Sequence, residues 1–400
     1  MSNVKLMPNK NPVQKENVSQ NPVEPEHLPA KGDRRRVAVS RLKRKILKHV
    51  WLLRTLVITG LLSALLLSVL VLFNVIKKTQ VGFYFSLAND FIFTPSEKIK
   101  SSQDRTNILI LGKGGGGHEA PDLTDTIILA SVNHLDSSIS LISLPRDIWI
   151  PALRAKLNSI YYWGNKKQDN GGIVLTKATV EEVAGVPVHY AAILDFSAFK
   201  TIIDILGGVE VDVERSFTDE KYPIPGKEDD ECDKDPEYKC RYETVKFEAG
   251  RIQMDGETAL KFVRSRNAIG DEGTDFARAS RQQKVIVAIK DKMMSREVLL
   301  SPKKMLLLKD EILKSVETDV EASSGAILAR RALETKGNFT SFVIPEELLE
   351  NPPYSQRYDN LYVFIPRKKD IENPLKQDWS EIHEWVICVL NKPDSECEEL

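Results

Sequence analysis

The chain has 400 residues with 56 Lys/Arg against 57 Asp/Glu, is 42% hydrophobic, and holds 21 Gly and 20 Pro. This composition excludes collagenous, mucin-like and wholly disordered classes, and the length leaves room for about two to three domains. The near-zero net charge hides an asymmetry: residues 1–54 carry 13 Lys/Arg and 4 Asp/Glu, a net of +9, so residues 55–400 carry −10. A basic arm on an acidic body argues against nucleic acid as a partner, because a nucleic-acid-binding body should itself be basic.

The first thirty residues are rich in Pro, Asn, Glu and Gln and read as disordered. Thr55 to Ile76 follows, 22 residues without a charge and with only Asn74 strongly polar. As a helix it would rise about 33 Å, enough to cross a hydrocarbon core of roughly 30 Å. The run is too long and starts too far into the chain for a signal peptide, and it has no polar stripe for a core helix. Nine Lys/Arg between Arg34 and Arg54 precede it, against Lys77 and Lys78 close behind. The positive-inside rule therefore expects a single-pass membrane protein with residues 1–54 in the cytoplasm and the large C-terminal part outside. Contact of the basic arm with anionic membrane lipid fits the same charges.

All four cysteines lie beyond that segment. Cys232 and Cys240 flank an acidic, Pro-containing loop that a disulfide would staple, and C-x7-C is a poor zinc spacing. The expected pairs are Cys232–Cys240 and Cys388–Cys397, among the three connectivities that four cysteines allow.

Residues 77–104 read as a juxtamembrane stalk. Short apolar strands are then expected at Asn107–Leu111, Thr126–Val132 and Ser138–Leu144, with Asp136 and Ser137 as a turn between the last two. Helical spacing appears at 173–184, 196–206 and 277–294, and further strands are expected at 209–213 and 259–264. Buried strands alternating with amphipathic helices predict one α/β domain over about 105–390, layered helix–sheet–helix, with an amphipathic helix near 326–333 and a tail at 391–400.

Four pieces of this domain carry chemistry. Asp125, in Thr124-Asp125-Thr126, stands where a Gly-rich loop re-enters a strand, with Pro121, Asp122 and Glu119 nearby. Hard carboxylate oxygens there suit Mg²⁺, whose remaining positions are usually filled by phosphate and water. Arg146 and Asp147 follow the end of an apolar strand, where ligands of α/β sheets gather. Arg264 and Arg266, if the strand at 259–264 extends that far, point to one face and repel unless an anion lies between them. Arg278 and Arg281 share a face at the opening of a helix, where cations oppose the dipole unless they serve a bound anion. Four arginines within eighteen residues of an acidic body read as a phosphate-binding group.

The run Gly112-Lys113-Gly114-Gly115-Gly116-Gly117 is not a P-loop, and reads as a flexible loop bordering the site. His118 and His189 are single and take no role. No Gly-x-Ser-x-Gly or His-Glu-x-x-His is present, so serine or zinc hydrolysis is not indicated.

Taken in order, NILILG, LTDTIILASVN, ISLISLPRDIWI, AKLNSIYYWG, FSAFKTIIDILGGVEVDV, FEAGRIQMDGETALKFVRSRN and DFARASRQQKVIVAI resemble the LytR–CpsA–Psr (LCP) family of membrane-anchored cell-envelope phosphotransferases. The resemblance covers about 105–390. It implies transfer of a glycopolymer from a polyprenyl-pyrophosphate carrier to a peptidoglycan hydroxyl, forming a phosphodiester with Mg²⁺ (or Mn²⁺) assisting. Position by position, it implies Asp125 as the metal and catalytic carboxylate and Arg146, Arg264, Arg266, Arg278 and Arg281, with Gln282, as the pyrophosphate grip. Asp275 matches the acidic position before the last pair and is an expected proton acceptor alongside Asp125. One position departs from the family pattern: where members commonly carry an Asp after the first strand, this chain has Gly112-Lys113-Gly114. Asp122 or Glu119 would then share the metal, or Lys113 would neutralise phosphate directly. Two other readings use the same residues: hydrolysis of the carrier's pyrophosphate, and a non-catalytic module that binds anionic envelope polymer.

Overall fold

The computed structural model describes residues 31–77, 94–95, 98–115, 121–227, 229–335, 339–369, 377–392 and 397. The expected disordered arm at 1–30, most of the stalk, most of the tail, and Gly116, Gly117, His118 and Glu119 lie outside the described residues. The chain divides into two units, residues 1–78 and 79–400. The first contains one helix, α1 (Lys31–Lys77). Its Lys43–Leu72 stretch is long and apolar enough to cross a membrane, and among the described residues its most apolar part buries no side chain within the protein. That is what a lipid-facing helix requires, because lipid rather than protein would cover the apolar surface.

In the second unit, β1 (Arg105–Lys113) pairs antiparallel with β2 (Thr124–Asn133), which pairs antiparallel with β3 (Ile139–Ser143). The turn between β2 and β3 is made as its residues dictate: Asp136 Oδ1 accepts the Ser138 N–H, and Ser137 takes a left-handed φ of 57°. Helices α2 (Ile160–Lys167) and α3 (Gly171–Ala184) then lead to β4 (Tyr190–Asp195), which lies parallel to β1.

Asp195 caps α4 (Phe196–Leu206) through the Ala198 N–H, and the chain continues through β5 (Val209–Val213), β6 (Phe217–Pro223), β7 (Tyr242–Phe247) and β8 (Gly250–Met254). Here the structure corrects the sequence reading. Residues 259–264 are not a strand but the end of helix α5 (Gly256–Arg264). Asp255 caps it by accepting the Thr258 N–H, and Ala259, Leu260, Phe262 and Val263 are buried at a helical spacing that a short window mistakes for a strand. Gly256 is needed for the packing: a Cβ there would come within 2.4 Å of the Lys200 backbone oxygen on α4.

Thr274 caps α6 (Asp275–Met293), and Ser301 caps α7 (Pro302–Ser315). Next come β9 (Val316–Thr318), α8 (Ala322–Glu334), β10 (Phe339–Val343) and α9 (Ser380–Asn391). The central sheet is mixed, in the order β9–β4–β1–β2–β3–β10. Alternation along β2 splits its apolar side chains between two cores. Ile127 and Leu129 pack with α3 and α9 on one face; Ile128, Ala130 and Val132 pack on the other with Ile286 of α6 and Leu328 of α8. The result is the layered helix–sheet–helix α/β arrangement. A further core joins α4, α5 and α7 to β5 through β8. Cys232 is bonded to Cys240 at the tip of the β6–β7 hairpin, and Cys388 of α9 to Cys397.

Candidate active site

The site forms where β2 begins, β3 ends and α6 begins. Ile128 is the register partner of Ser143 in the β2–β3 pair. Continuing that antiparallel register three residues outward sets Asp125 opposite Arg146. Arg146 Nη1 donates to Asp125 Oδ1 at 2.6 Å. Arg146 Nε also lies 3.4 Å from Asp147 Oδ2, and the buried Asp147 carboxylate takes the Lys156 ammonium at 2.7 Å. Asp147 is therefore an internal brace for Arg146 rather than a surface pair.

Two adjoining lobes open here and share one wall made of Asp125, Arg278 and Gln282. The first, of about 280 Å³, is floored by Ile127, Leu144, Val343, Ile344 and Phe364, with Arg146, Asp275, Phe276 and Tyr362 around it. The second, of about 320 Å³, is basic, with Lys221, Arg264, Arg266 and Asn267 beside Phe196, Pro223, Tyr242 and Val263. One lobe suits an apolar chain and the other suits anionic and hydroxylated groups.

The electrostatics report convergent cations. Burial disfavours the Asp125 carboxylate, yet the charge and hydrogen bond of Arg146, with Arg278 and Asn158 behind them, outweigh it and hold its pKa below the usual carboxylate range. Arg278 is pushed down, first by burial; Asp275, 3.2 Å away, opposes this, while the charges of Arg146 and Arg266 add to it. Arg278 on the shared wall thus feels a guanidinium from each lobe, and an anion beside it would relieve that repulsion.

Arg264 and Arg266 reach the basic lobe by a route other than the expected strand. Arg264 ends α5, stacks 4.6 Å over the Phe196 ring and donates to Tyr222 Oη at 3.4 Å. Arg266 is exposed in the extended segment after Ser265. Arg278 and Arg281 part company. Arg278 and Gln282, four apart, face the lobes. Arg281, 2% exposed, turns inward, donates to the carbonyls of Phe262, Ser265 and Glu272, and pairs with the Glu272 carboxylate at 2.8 Å. It lines neither lobe, so the expected grip at Arg281 is replaced by a buried fastening of the arginine segment to α6.

Lys113 and Asp122 also lie apart from the lobes. They pair with each other at 3.4 Å, and Lys113 rests 5.2 Å from the Tyr161 ring centroid. Among the described residues, the group of three close metal-type donors is Asp230, Cys232 and Cys240, and its cysteines are spent in a disulfide. Asp125 stands as one carboxylate beside two arginines. One or two carboxylates with substrate phosphates is a donor set that Mg²⁺ accepts, so the residues fit a cation completed by substrate oxygens. His189 is structural, its Nδ1 accepting the Asn107 N–H. The residues the sequence reading missed are Lys221, Tyr242 and the buried Asp219, which the unforeseen β6–β7 hairpin brings in, and Asn267, which follows Arg266 after α5.

A sequence model of the LytR_cpsA_psr family matches residues 84–379, well over half the chain. The chain belongs to the LytR_cpsA_psr family. Relatives in this family include the polyisoprenyl-teichoic acid–peptidoglycan teichoic acid transferase TagU of Enterococcus faecalis, 28% identical over 57% of this chain and 69% of that protein. Another is the corresponding transferase TagV of Bacillus subtilis, 26% identical over 63% of this chain and 58% of its own length, so the match spans under two thirds of that relative. The crystal structure of B. subtilis TagV shares the fold at a TM-score of 0.50 and 21% identity, covering 73% of this chain and 99% of that one.

Proposed function

We propose that this chain transfers a glycopolymer from a polyprenyl-diphosphate carrier to a hydroxyl of peptidoglycan, leaving a phosphodiester link. One observation carries the reading: Asp125, Arg278 and Gln282 form a wall common to an apolar lobe holding Arg146 and a basic lobe holding Arg264 and Arg266. A lipid diphosphate has that same division, with an apolar tail, two charged phosphates and a sugar. The tail's first isoprene units would lie against Ile127, Leu144, Ile344 and Phe364.

Phosphoryl transfer asks the protein mainly for positioning and for neutralisation of developing charge. The arginines hold the diphosphate so that the acceptor oxygen faces the phosphorus bearing the glycan. A new O–P bond forms, the bond to the bridging oxygen breaks, and polyprenyl phosphate leaves with that electron pair. Asp275, half exposed at the rim of the apolar lobe, is placed to take the hydroxyl proton. Asp125 is the poorer base, because Arg146 holds it ionised and occupied. Mg²⁺ or Mn²⁺, when bound, would sit on Asp125 and the phosphates and supply further charge neutralisation.

In the same proposal residues 1–54 are cytoplasmic, one helix crosses the membrane, and the enzyme body works outside. Nine cations before the span and two disulfides in the body support this, since disulfides persist in oxidising compartments. The test is an assay of purified full-length protein with a polyprenyl-diphosphate-linked glycan and peptidoglycan. Transfer yields glycan joined to the wall, whereas free phosphorylated glycan would identify a hydrolase, and binding without either product a non-catalytic module.

A further inference from the structure

Arg266 and Asn267 lie in the irregular segment after α5, yet with Arg264 at the helix end they line the basic lobe. A carboxylate with no surface exposure lies under this segment. Asp219, on β6, is 0% exposed. Its Oδ2 accepts the backbone N–H of Arg266 at 3.0 Å and of Asn267 at 3.2 Å, and its Oδ1 accepts the N–H of Lys221 at 2.9 Å. The Asn267 amide returns a bond to the Lys221 carbonyl at 2.9 Å, and Asp219 forms an isolated bridge with Ala268. One side chain therefore ties together two strings of backbone that both supply cations to the lobe.

The strand pairing explains why the carboxylate is needed there. The β6–β7 register slips between Asp219 and Tyr222, setting Glu220 and Lys221 against Thr244 alone. Bulges of this kind re-aim side chains and leave a backbone group outside the ladder. Here the bulge sends Lys221 to the lobe, and its N–H goes to Asp219. Three backbone N–H groups converge on this one buried carboxylate, which gives each of them an acceptor. An ionised carboxylate offers acceptors only; an amide would turn a donor towards at least one of them. Asp219 also lies within electrostatic reach of Arg281, which secures the same segment from the α6 side.

We propose that Asp219 is a positioning residue for anion binding, setting through Arg266 and Lys221 where the cations of the basic lobe meet a diphosphate. This rests on the diphosphate reading of the site. Asp219 does not touch the ligand and acts through the backbone of residues that do.

The test is titration of inorganic pyrophosphate into full-length protein in detergent, with thermal unfolding measured on each variant. Asp219→Asn is expected to weaken pyrophosphate roughly tenfold while the protein remains folded, consistent with turning an amide donor against one of the three N–H groups. Arg266→Ala is expected to weaken it by a similar factor, and the double variant to bind clearly less than tenfold weaker than Arg266→Ala alone, because Arg266 is one of the two cations that Asp219 places. A structural role instead makes the two losses multiply, or lowers the unfolding temperature with affinity intact; either result overturns the proposal. Should Asp219→Asn not fold, Asp219→Glu keeps the charge and displaces it by one methylene. A folded Asp219→Glu protein is expected to bind several-fold more weakly, and wild-type affinity would overturn the proposal. Failure of the unaltered protein to bind pyrophosphate would instead count against the diphosphate reading itself.

Discussion

Arg146 Nη1 lies 2.6 Å from Asp125 Oδ1 because the β2–β3 register, set by the turn at Asp136 and Ser137, makes the two positions opposite. In the proposed reaction the pair is the hinge of the chemistry. In the resting protein each neutralises the other; a phosphate entering between Arg146 and Arg278 would take over the arginine and leave the carboxylate for a cation.

Asp125→Asn should therefore separate binding from turnover. The amide cannot neutralise Arg146, so pyrophosphate is expected to bind at least as tightly as in the unaltered protein, or more tightly, when divalent cations are removed. Transfer is expected to fall by about 10²–10³, the scale seen when one charge-stabilising group is lost. Pyrophosphate titration beside a product assay checks both halves, and an Asp125→Asn protein with undiminished transfer would contradict the assignment.

Arg278 and Arg281, three residues apart on α6, should respond in opposite ways. Arg278→Met is expected to weaken pyrophosphate about 10- to 100-fold, the worth of one hydrogen bond to a charged group. Arg281→Met strands the carbonyls of Phe262 and Ser265 and the Glu272 carboxylate, and is expected to cost on the order of 3 kcal/mol of stability. Its affinity per folded molecule should fall much less than that of Arg278→Met, because Arg281 reaches the lobe only through the segment it fastens. Thermal unfolding and titration on the two variants distinguish them.

The acid limb of activity should be late. Pairing with Arg146 holds the Asp125 pKa below its unfolded value of about 3.9. The ionised carboxylate therefore favours the folded state at neutral pH, and this contribution fades only as pH falls through the lowered value. The dependence of kcat/KM on ionised Asp125 should be absent from pH 7 down to about 5 and should enter only below the ordinary carboxylate range. A fall centred near pH 6 would assign the limb to another group.

Gly256→Ala should act on the site through packing. The added methyl would meet the Lys200 carbonyl oxygen of α4, and neither backbone can retreat freely. A loss of about 1–3 kcal/mol is expected, with weakened pyrophosphate binding because α5 carries Arg264. Circular dichroism melts and titration measure the two effects.

Much of this arrangement is legible in the sequence. The apolar runs of β1, β2 and β3 announce a sheet buried on both faces, and the Asp136–Ser137 turn contains enough to place Asp125 opposite Arg146 if the register is extended. Residues 259–264 misled because a short apolar run does not reveal its period, although Asp255 as a cap three residues before Thr258 was a usable signal. Spacing on α6 put Arg278 and Arg281 on one face, but a helical face is wide. Burial of Phe262 and Ser265 beside Arg281 decided that one guanidinium would face inward. Asp219 was invisible, since its role depends on a bulge between strands distant in sequence from the segment it holds.

The central claim is that arginines from three separate parts of the chain hold one lipid diphosphate. Its most direct test is mass spectrometry of lipid that copurifies with the full-length protein in mild detergent, compared with the Arg146→Ala/Arg278→Ala variant. A polyprenyl-diphosphate species in the unaltered protein, lost or sharply reduced in the folded variant, is the predicted result. The same lipid at the same occupancy in both proteins would contradict the account.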